Sequence, residues 1–175
     1  SLAKASWDEF LPYYAGLGYY RRGRNMLSTA KIIKEKYNGK FPQDKNILMT
    51  LPGIGEYTAS AILSFGYNKN YIAFDTNAQR VYGRYIYGTK NALIDKEKLV
   101  QNLSMNKRVL NSAVMDFANA ICLKNPKCEI CPLKNHCAYY KQKGKRENKN
   151  TKISPLFPTK IAQVYLWLHK DHKEY

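Results

Sequence analysis

The chain has 175 residues, of which 29 are basic and 13 are acidic, and its formal net charge is +16. This excess favours a polyanionic partner, because lysine and arginine neutralise phosphates and release their counterions. A lysine-rich protein without such a partner is the alternative. No apolar run approaches the ~20 residues that a membrane span requires, and the first residues (SLAKASWDEF) lack the features of a signal peptide. We therefore expect a cytoplasmic protein with no membrane partner.

The spacing of apolar residues predicts an all-α fold, since strand signals are weak up to about residue 140. In helix 24–37 the spacing places Met26, Leu27, Ala30, Ile33 and Tyr37 on one face. The predicted helices are 8–14, 24–37, 44–51, 56–65, 76–85, 96–103 and 107–120. In helix 44–51, we expect Asp44 to cap the first turn and the three apolar side chains that follow to point inward: Ile47, Leu48 and Leu51.

A change of composition after Tyr140 predicts a domain boundary. Residues 141–157 are almost wholly polar and basic, and this indicates a linker. Residues 158–175 contain the alternation typical of one strand (IAQVYLWLHK), and a single strand cannot form a domain. We expect a domain over 1–140, a basic linker over 141–157 and the start of a truncated C-terminal domain at 158.

The segment LPGIGEYTASAILSF predicts two helices joined by a tight turn. Gly53 and Gly55 permit left-handed backbone geometry and close approach by another molecule. The first amides of the second helix lack partners within the helix, so they can bind an anion such as a DNA phosphate. Simple packing of a helical hairpin is the alternative.

Asp75 lies twenty residues after Gly55, behind an apolar run and before a predicted helix. An aspartate in this position is most often an N-cap, whose carboxylate accepts hydrogen bonds from the first turn.

Four cysteines within sixteen residues form the sequence CLKNPKCEICPLKNHC. Converging thiolates at such short spacing are typical of a zinc or iron–sulfur site. Two local disulfides or four unrelated thiols are the alternative. The intracellular character of the chain and the short Cys-x-x-Cys pair argue against the disulfides. The four cysteines are the predicted ligands: Cys122, Cys128, Cys131 and Cys137.

In this order, the LPGIG hairpin, the aspartate and the cysteines resemble the helix-hairpin-helix DNA glycosylases related to endonuclease III, over residues 1–140. The segment GLGYYRRGRN, residues 16–25, resembles the MutY-type adenine DNA glycosylases within that superfamily. The resemblance implies an incomplete helix-hairpin-helix glycosylase fold with an iron–sulfur loop at 122–137. It also implies a [4Fe-4S] cluster on the four cysteines, although the first gap has five residues where the family usually has six.

The resemblance implies a base-excision repair enzyme that hydrolyses the N-glycosidic bond of adenine mispaired with 8-oxoguanine or guanine. Asp75 would stabilise the positive charge that develops on the sugar. Tyr57 occupies the position of the lysine nucleophile of bifunctional relatives, so a monofunctional enzyme is expected. Thymine glycosylases acting on T·G mismatches can also carry tyrosine there and stay an alternative. The residues expected to form the base pocket and to bind DNA are Leu17, Tyr19, Leu51, Gly53, Gly55, Tyr57, Thr58 and Asn77.

Two departures from the family pattern bear on activity. The residue between Asp75 and Asn77 is Thr76, where the family usually has glycine. No residue of the chain matches the family's general-acid glutamate, which we expect in helices preceding Ser1. A DNA-binding fragment without catalysis is therefore a second hypothesis. In either case the expected partner is double-stranded DNA with a mismatch or an oxidised guanine, bound by a monomer in the bacterial nucleoid.

Overall fold

The computed structural model describes residues 1–101 and 105–144, and the chain divides into two compact units, Ser1–Leu63 and Ser64–Tyr175. Every regular element in the described ranges is helical, which confirms the all-α prediction. None of the helices in these ranges has both the length and the apolar character needed to cross a membrane. The predicted linker beyond Gly144 and the strand-like segment lie outside the described residues, so the predicted domain boundaries stay predictions.

The α-helices in the described residues are α1 Trp7–Tyr14, α2 Tyr20–Lys36, α3 Lys45–Met49, α4 Glu56–Ala61, α5 Thr76–Tyr82, α6 Lys96–Gln101, α7 Lys107–Ala120 and α8 Ala138–Gly144. Wider π-helical turns follow α4 and α5, at Ile62–Gly66 and Gly83–Tyr87. Single turns of 3₁₀-helix cover Leu2–Lys4, Cys128–Ile130 and Lys134–His136.

In the first unit, α1 begins with a capping box. Ser6 Oγ accepts from Glu9 N, and the Glu9 carboxylate accepts from Ser6 N at 2.7 Å. The hydrogen bonds from Ser6 lower the pKa of Glu9. The sequence analysis missed this motif, although a serine three residues before a glutamate is its usual signature.

Helix α2 begins four residues earlier than predicted, directly after Tyr19, whose φ is +47°. A Cβ on Gly23 would lie 3.1 Å from the Trp7 ring, so the glycine lets the first turn of α2 pack closely against that ring. The prediction that Ile47 points inward was wrong, since it is 40% exposed.

The second unit has a core in which α5 packs against α7. Helix α7 has the predicted bounds, and Asn106 caps it by accepting from Arg108 N at 2.9 Å. The predicted helix 76–85 instead loosens into the π-helical turn after α5. The buried residues of this core include Val81, Tyr82, Leu110, Val114, Phe117 and Leu133.

Candidate functional site

The hairpin in the first unit is built on a capped helix and one left-handed glycine. Asp44 caps α3 as predicted, with Oδ1 accepting from Ile47 N at 2.9 Å. The turn closes where Ile54 N donates to Leu51 O at 3.1 Å. Gly53 has φ +75°, but Gly55 has φ −88° and serves as the N-cap of α4. Of the two glycines expected to permit left-handed geometry, only Gly53 adopts it.

Helix α2 supports the hairpin turn through two residues. The Thr29 hydroxyl is buried and donates to Pro52 O at 2.8 Å. Asn25 lies so close to Gly53 that a Cβ on Gly53 would sit 2.8 Å from the Asn25 side chain. Glycine at 53 is therefore required both by its backbone angle and by its neighbour.

The predicted DNA-contacting residues of the first unit differ in exposure. Leu17 is 68% and Tyr19 82% exposed, and both belong to the short connection between α1 and α2. Tyr57 is 40% exposed on α4, and Thr58 beside it is half-buried. Leu51 is buried at 4% exposure, so its side chain belongs to the core rather than to the exposed surface of the turn.

Asp75 is the N-cap of α5 in the second unit, and both of its carboxylate oxygens accept hydrogen bonds. Oδ1 accepts from Ala78 N at 2.7 Å, and Oδ2 accepts from Asn77 Nδ2 at 2.8 Å. Asn77 therefore lies beside Asp75 and holds one of its carboxylate oxygens. Thr76 is exposed at the first position of α5, so its extra bulk points to solvent. The carboxylate is half-buried and has a fixed orientation.

Asn111 fixes the segment that leads to Asp75, and the sequence analysis missed it. Its Oδ1 accepts from Ala73 N at 3.1 Å, and its Nδ2 donates to Tyr71 O at 3.0 Å and to Ser64 Oγ at 2.8 Å. The side chain is buried at 3% exposure. Asn111 is a polar residue on the apolar face of predicted helix 107–120, and this pattern could have indicated a buried side chain with hydrogen-bond partners.

The four cysteines line one pocket in the second unit, together with residues of α5, α7 and the turn after α5. All four thiols are free. Among the described residues, no three His, Cys, Asp or Glu side chains converge as closely as a single metal ion requires. Four soft sulfur donors around a shared pocket are the ligand type of both iron–sulfur clusters and zinc ions.

Burial also shapes the chemistry of these thiols. It raises the pKa of Cys131 to about 11, and the nearby thiols of the other cysteines raise it further. Burial likewise raises the pKa of Cys137. The Cys131 and Cys137 thiols therefore stay protonated near neutral pH when no metal is bound, and a bound group must displace those protons.

Two arginines contact the segment around the first cysteine, and neither was singled out in the sequence. Arg80 Nε donates to Cys122 O at 2.7 Å, and its Nη2 donates to Ala118 O at 3.1 Å. Arg84 lies deeper and lines the pocket itself. Arg80 therefore connects α5, which Asp75 caps, to the cysteine loop by a direct hydrogen bond.

Two family models match the chain. Residues 36–65 match the helix-hairpin-helix motif, and residues 124–137 match the iron-sulfur binding domain of endonuclease III. The second match includes Cys128, Cys131 and Cys137, and Cys122 lies two residues before it. The cysteine loop is therefore an iron–sulfur binding domain, which favours iron over the zinc alternative.

Known proteins resemble the chain over most of its length. It is 44% identical to an adenine DNA glycosylase of Buchnera aphidicola subsp. Baizongia pistaciae, over 80% of this chain and 42% of that protein. It is 32% identical to endonuclease III of Thermotoga maritima, over 85% of this chain and 72% of that protein. A solved thermostable thymine-DNA glycosylase has a TM-score of 0.71 and 27% identity, over 81% of this chain and 69% of that one.

The chain spans about half the length of the adenine DNA glycosylases that it matches, from 42% to 51%. It covers more than two thirds of the endonuclease III relative. With the hairpin and the iron–sulfur binding domain both matched, the chain belongs to the endonuclease III-like family of helix-hairpin-helix DNA glycosylases.

Proposed function

We propose that this protein is a monofunctional DNA glycosylase that removes adenine mispaired with 8-oxoguanine or guanine by hydrolysing the N-glycosidic bond. The observation that carries the proposal is the Asp75 carboxylate, which has a fixed orientation at the start of α5. Support for adenine comes from the 44% identity to an adenine DNA glycosylase and from the GLGYY segment.

Asp75 would act on the charge that appears when the bond breaks. The target base must first leave the helical stack, at a cost of a few kcal/mol. Loss of the base leaves a positively charged, oxocarbenium-like sugar, and a carboxylate that is already oriented stabilises that charge without reorganising. The hydrogen bonds from Ala78 N and Asn77 Nδ2 supply this orientation.

Hydrolysis without strand cleavage follows from Tyr57. A Schiff base requires an amine, and the phenol of tyrosine cannot form one. Tyr57 would instead form a wall of the base pocket together with Thr58. This part of the proposal predicts that no covalent adduct is trapped by borohydride.

Double-stranded DNA would bind through the connection between α1 and α2 and through the hairpin. Leu17 and Tyr19 are large and exposed, so they can enter the duplex beside the oxidised guanine without first leaving a core. The backbone at Gly53 and Gly55 would contact a phosphate without reading sequence. We propose that a monomer acts on such DNA in the bacterial nucleoid.

The cysteine loop would bind a [4Fe-4S] cluster through its four thiolates. The cluster would link the two 3₁₀ turns of the loop to Cys122, and its role would be structural. The loop also carries exposed lysines, so loss of the cluster should weaken DNA binding before it alters chemistry at Asp75.

A single-turnover assay on duplex DNA carrying adenine opposite 8-oxoguanine tests the proposal. We expect base release by the wild-type chain, reduced by roughly 100-fold or more in Asp75→Asn. Asparagine is as good an N-cap as aspartate, so the fold should persist. Asp95→Asn is the matched control, because Asp95 Oδ1 also accepts from a helix-start amide, Lys98 N, at 3.0 Å. Equal rates for the two variants would contradict the proposal.

Two alternatives are outcomes of the same assay. The similarity to a solved thymine-DNA glycosylase favours a second substrate, so a T·G duplex forms a parallel arm. Faster release of thymine than of adenine would reassign the substrate. Tight binding of both duplexes without release of either base would support the second hypothesis, a DNA-binding module without catalysis.

A further inference from the structure

We propose that Arg84 balances the negative charge of the iron–sulfur cluster from inside the protein. We also propose that it holds in place the segment between the first two cysteines, Cys122 and Cys128. Arg84 belongs to the π-helical turn after α5 and is 5% exposed. Its side chain lines the same pocket as the four cysteines. The inference depends on the iron–sulfur binding domain and is independent of which base the enzyme removes.

The guanidinium donates to three acceptor atoms at the start of the cysteine loop. Nη1 donates to Leu123 O at 2.6 Å and to Cys122 Sγ at 3.5 Å, and Nη2 donates to Lys124 O at 2.8 Å. These acceptors are the first cysteine and the two residues after it. The planar fork of arginine suits this arrangement, because one rigid group can donate in several fixed directions.

Arg84 also contacts the other end of the cysteine loop. Its backbone carbonyl accepts from the Cys137 thiol at 3.7 Å, and its guanidinium lies 5.2 Å from the centre of the Tyr139 ring. A single residue therefore touches the first and the last cysteine. A π-helical turn presents Arg84 there, and such turns often occur at functional sites.

No ion pair involves Arg84 in the part of the chain that the structure describes. Burying a cation is costly unless an opposite charge lies nearby. Four thiolates on a cluster supply negative charge in this pocket, and a hydrogen bond to a sulfur ligand is one of the factors that set the reduction potential of a cluster. The buried arginine and the anionic cluster therefore stabilise each other.

The exposed lysine of the same segment provides a matched control. Lys124 lies between Cys122 and Cys128, but its side chain is exposed to solvent. Lys124→Met and Arg84→Met remove the same amount of charge close to the same cysteines. Solvent screens the first charge and not the second, so only Arg84→Met should change the cluster strongly.

The test measures the bound cluster in the full chain and makes no use of glycosylase activity. Reduction potential is measured by voltammetry, and cluster release is followed by loss of visible absorption in the presence of an iron chelator. For Arg84→Met, we expect a lower potential and roughly tenfold faster release than in wild type. Arg84→Lys should retain most of the potential, because the charge remains, and release iron faster, because the fork is lost. Lys124→Met should match wild type in both measurements.

Equal potentials and release rates in Arg84→Met and Lys124→Met would overturn the proposal. If Arg84→Met is isolated without iron, the melting temperatures of the metal-free proteins decide. Equal melting of metal-free wild type and metal-free variant supports a role towards the cluster. A metal-free variant that melts well below metal-free wild type would show that Arg84 stabilises the fold itself, and the proposal would fail.

Discussion

The hairpin turn and the cysteine loop are both short connections with proposed roles in binding, but different interactions stabilise them. The hairpin turn is supported by α2, through the buried Thr29 hydroxyl and the close contact of Asn25 with Gly53. The cysteine loop contains two single 3₁₀ turns and buries one large apolar side chain, Leu133, at 2% exposure. Its four thiols instead surround a pocket.

This difference indicates that the two connections gain their shape from different sources. The hairpin turn depends on contacts that the polypeptide makes with itself, so its stability should not change with a bound group. The cysteine loop depends on a group that binds only the folded chain, so its stability should change with that group.

Loss of the cluster should lower stability more than any substitution in the hairpin turn. In Cys131→Ser, we expect the melting temperature to fall by about 10 °C, because a ligand present far above its dissociation constant contributes about 4 kcal/mol. The measurement is calorimetry of the iron-loaded proteins. Metal-free wild type and metal-free Cys131→Ser form the control pair and should melt within a few degrees of each other. An equal fall in the metal-free pair would mean that the thiol stabilises the loop without a bound group.

The sequence predicted elements with strong local signals and missed contacts made by distant residues. Helix α7 has its predicted bounds, because Asn106 caps it and its apolar residues repeat regularly. Asp44 also caps α3 as expected. The predicted helix over 76–85 loosens at Gly83, where a Cβ would clash with Thr89 O, and this contact is not visible in the local pattern.

The missed site residues have a common physical cause. Arg84 contacts residues about 40 positions later, and Asn111 contacts residues about 40 positions earlier. Nothing in the neighbouring sequence distinguishes Arg84 from the exposed Arg22. The cysteines and Asp75 could be predicted because their chemistry requires a fixed spacing or order along the chain. The hydrogen bond from Asn77 Nδ2 to Asp75 is visible only in the structure.

Gly53→Ala should have the second largest effect and tests the self-supported hairpin. A non-glycine residue at φ +75° costs about 1–2 kcal/mol, and overpacking against Asn25 adds about 1–3 kcal/mol. We expect the free energy of unfolding in urea to fall by about 3 kcal/mol. Gly39→Ala is the control, because Gly39 has φ +77° and no atom within 4 Å of the added Cβ. Equal losses in the two variants would show that Asn25 moves aside at little cost.

Thr29→Val should have the smallest effect, and it isolates the hydrogen bond that links α2 to the hairpin. Valine has nearly the shape of threonine, so the substitution removes the donor to Pro52 O and leaves a buried carbonyl unsatisfied. We expect a loss of about 1 kcal/mol in urea unfolding. Thr50→Val is the matched control: Thr50 Oγ1 donates to Ile47 O at 2.7 Å within α3, where solvent can replace the bond. The exposed site should lose only a few tenths of a kcal/mol. A loss at Thr50 as large as that at Thr29 would mean that the fold of α3, rather than its support by α2, determines the stability of the hairpin.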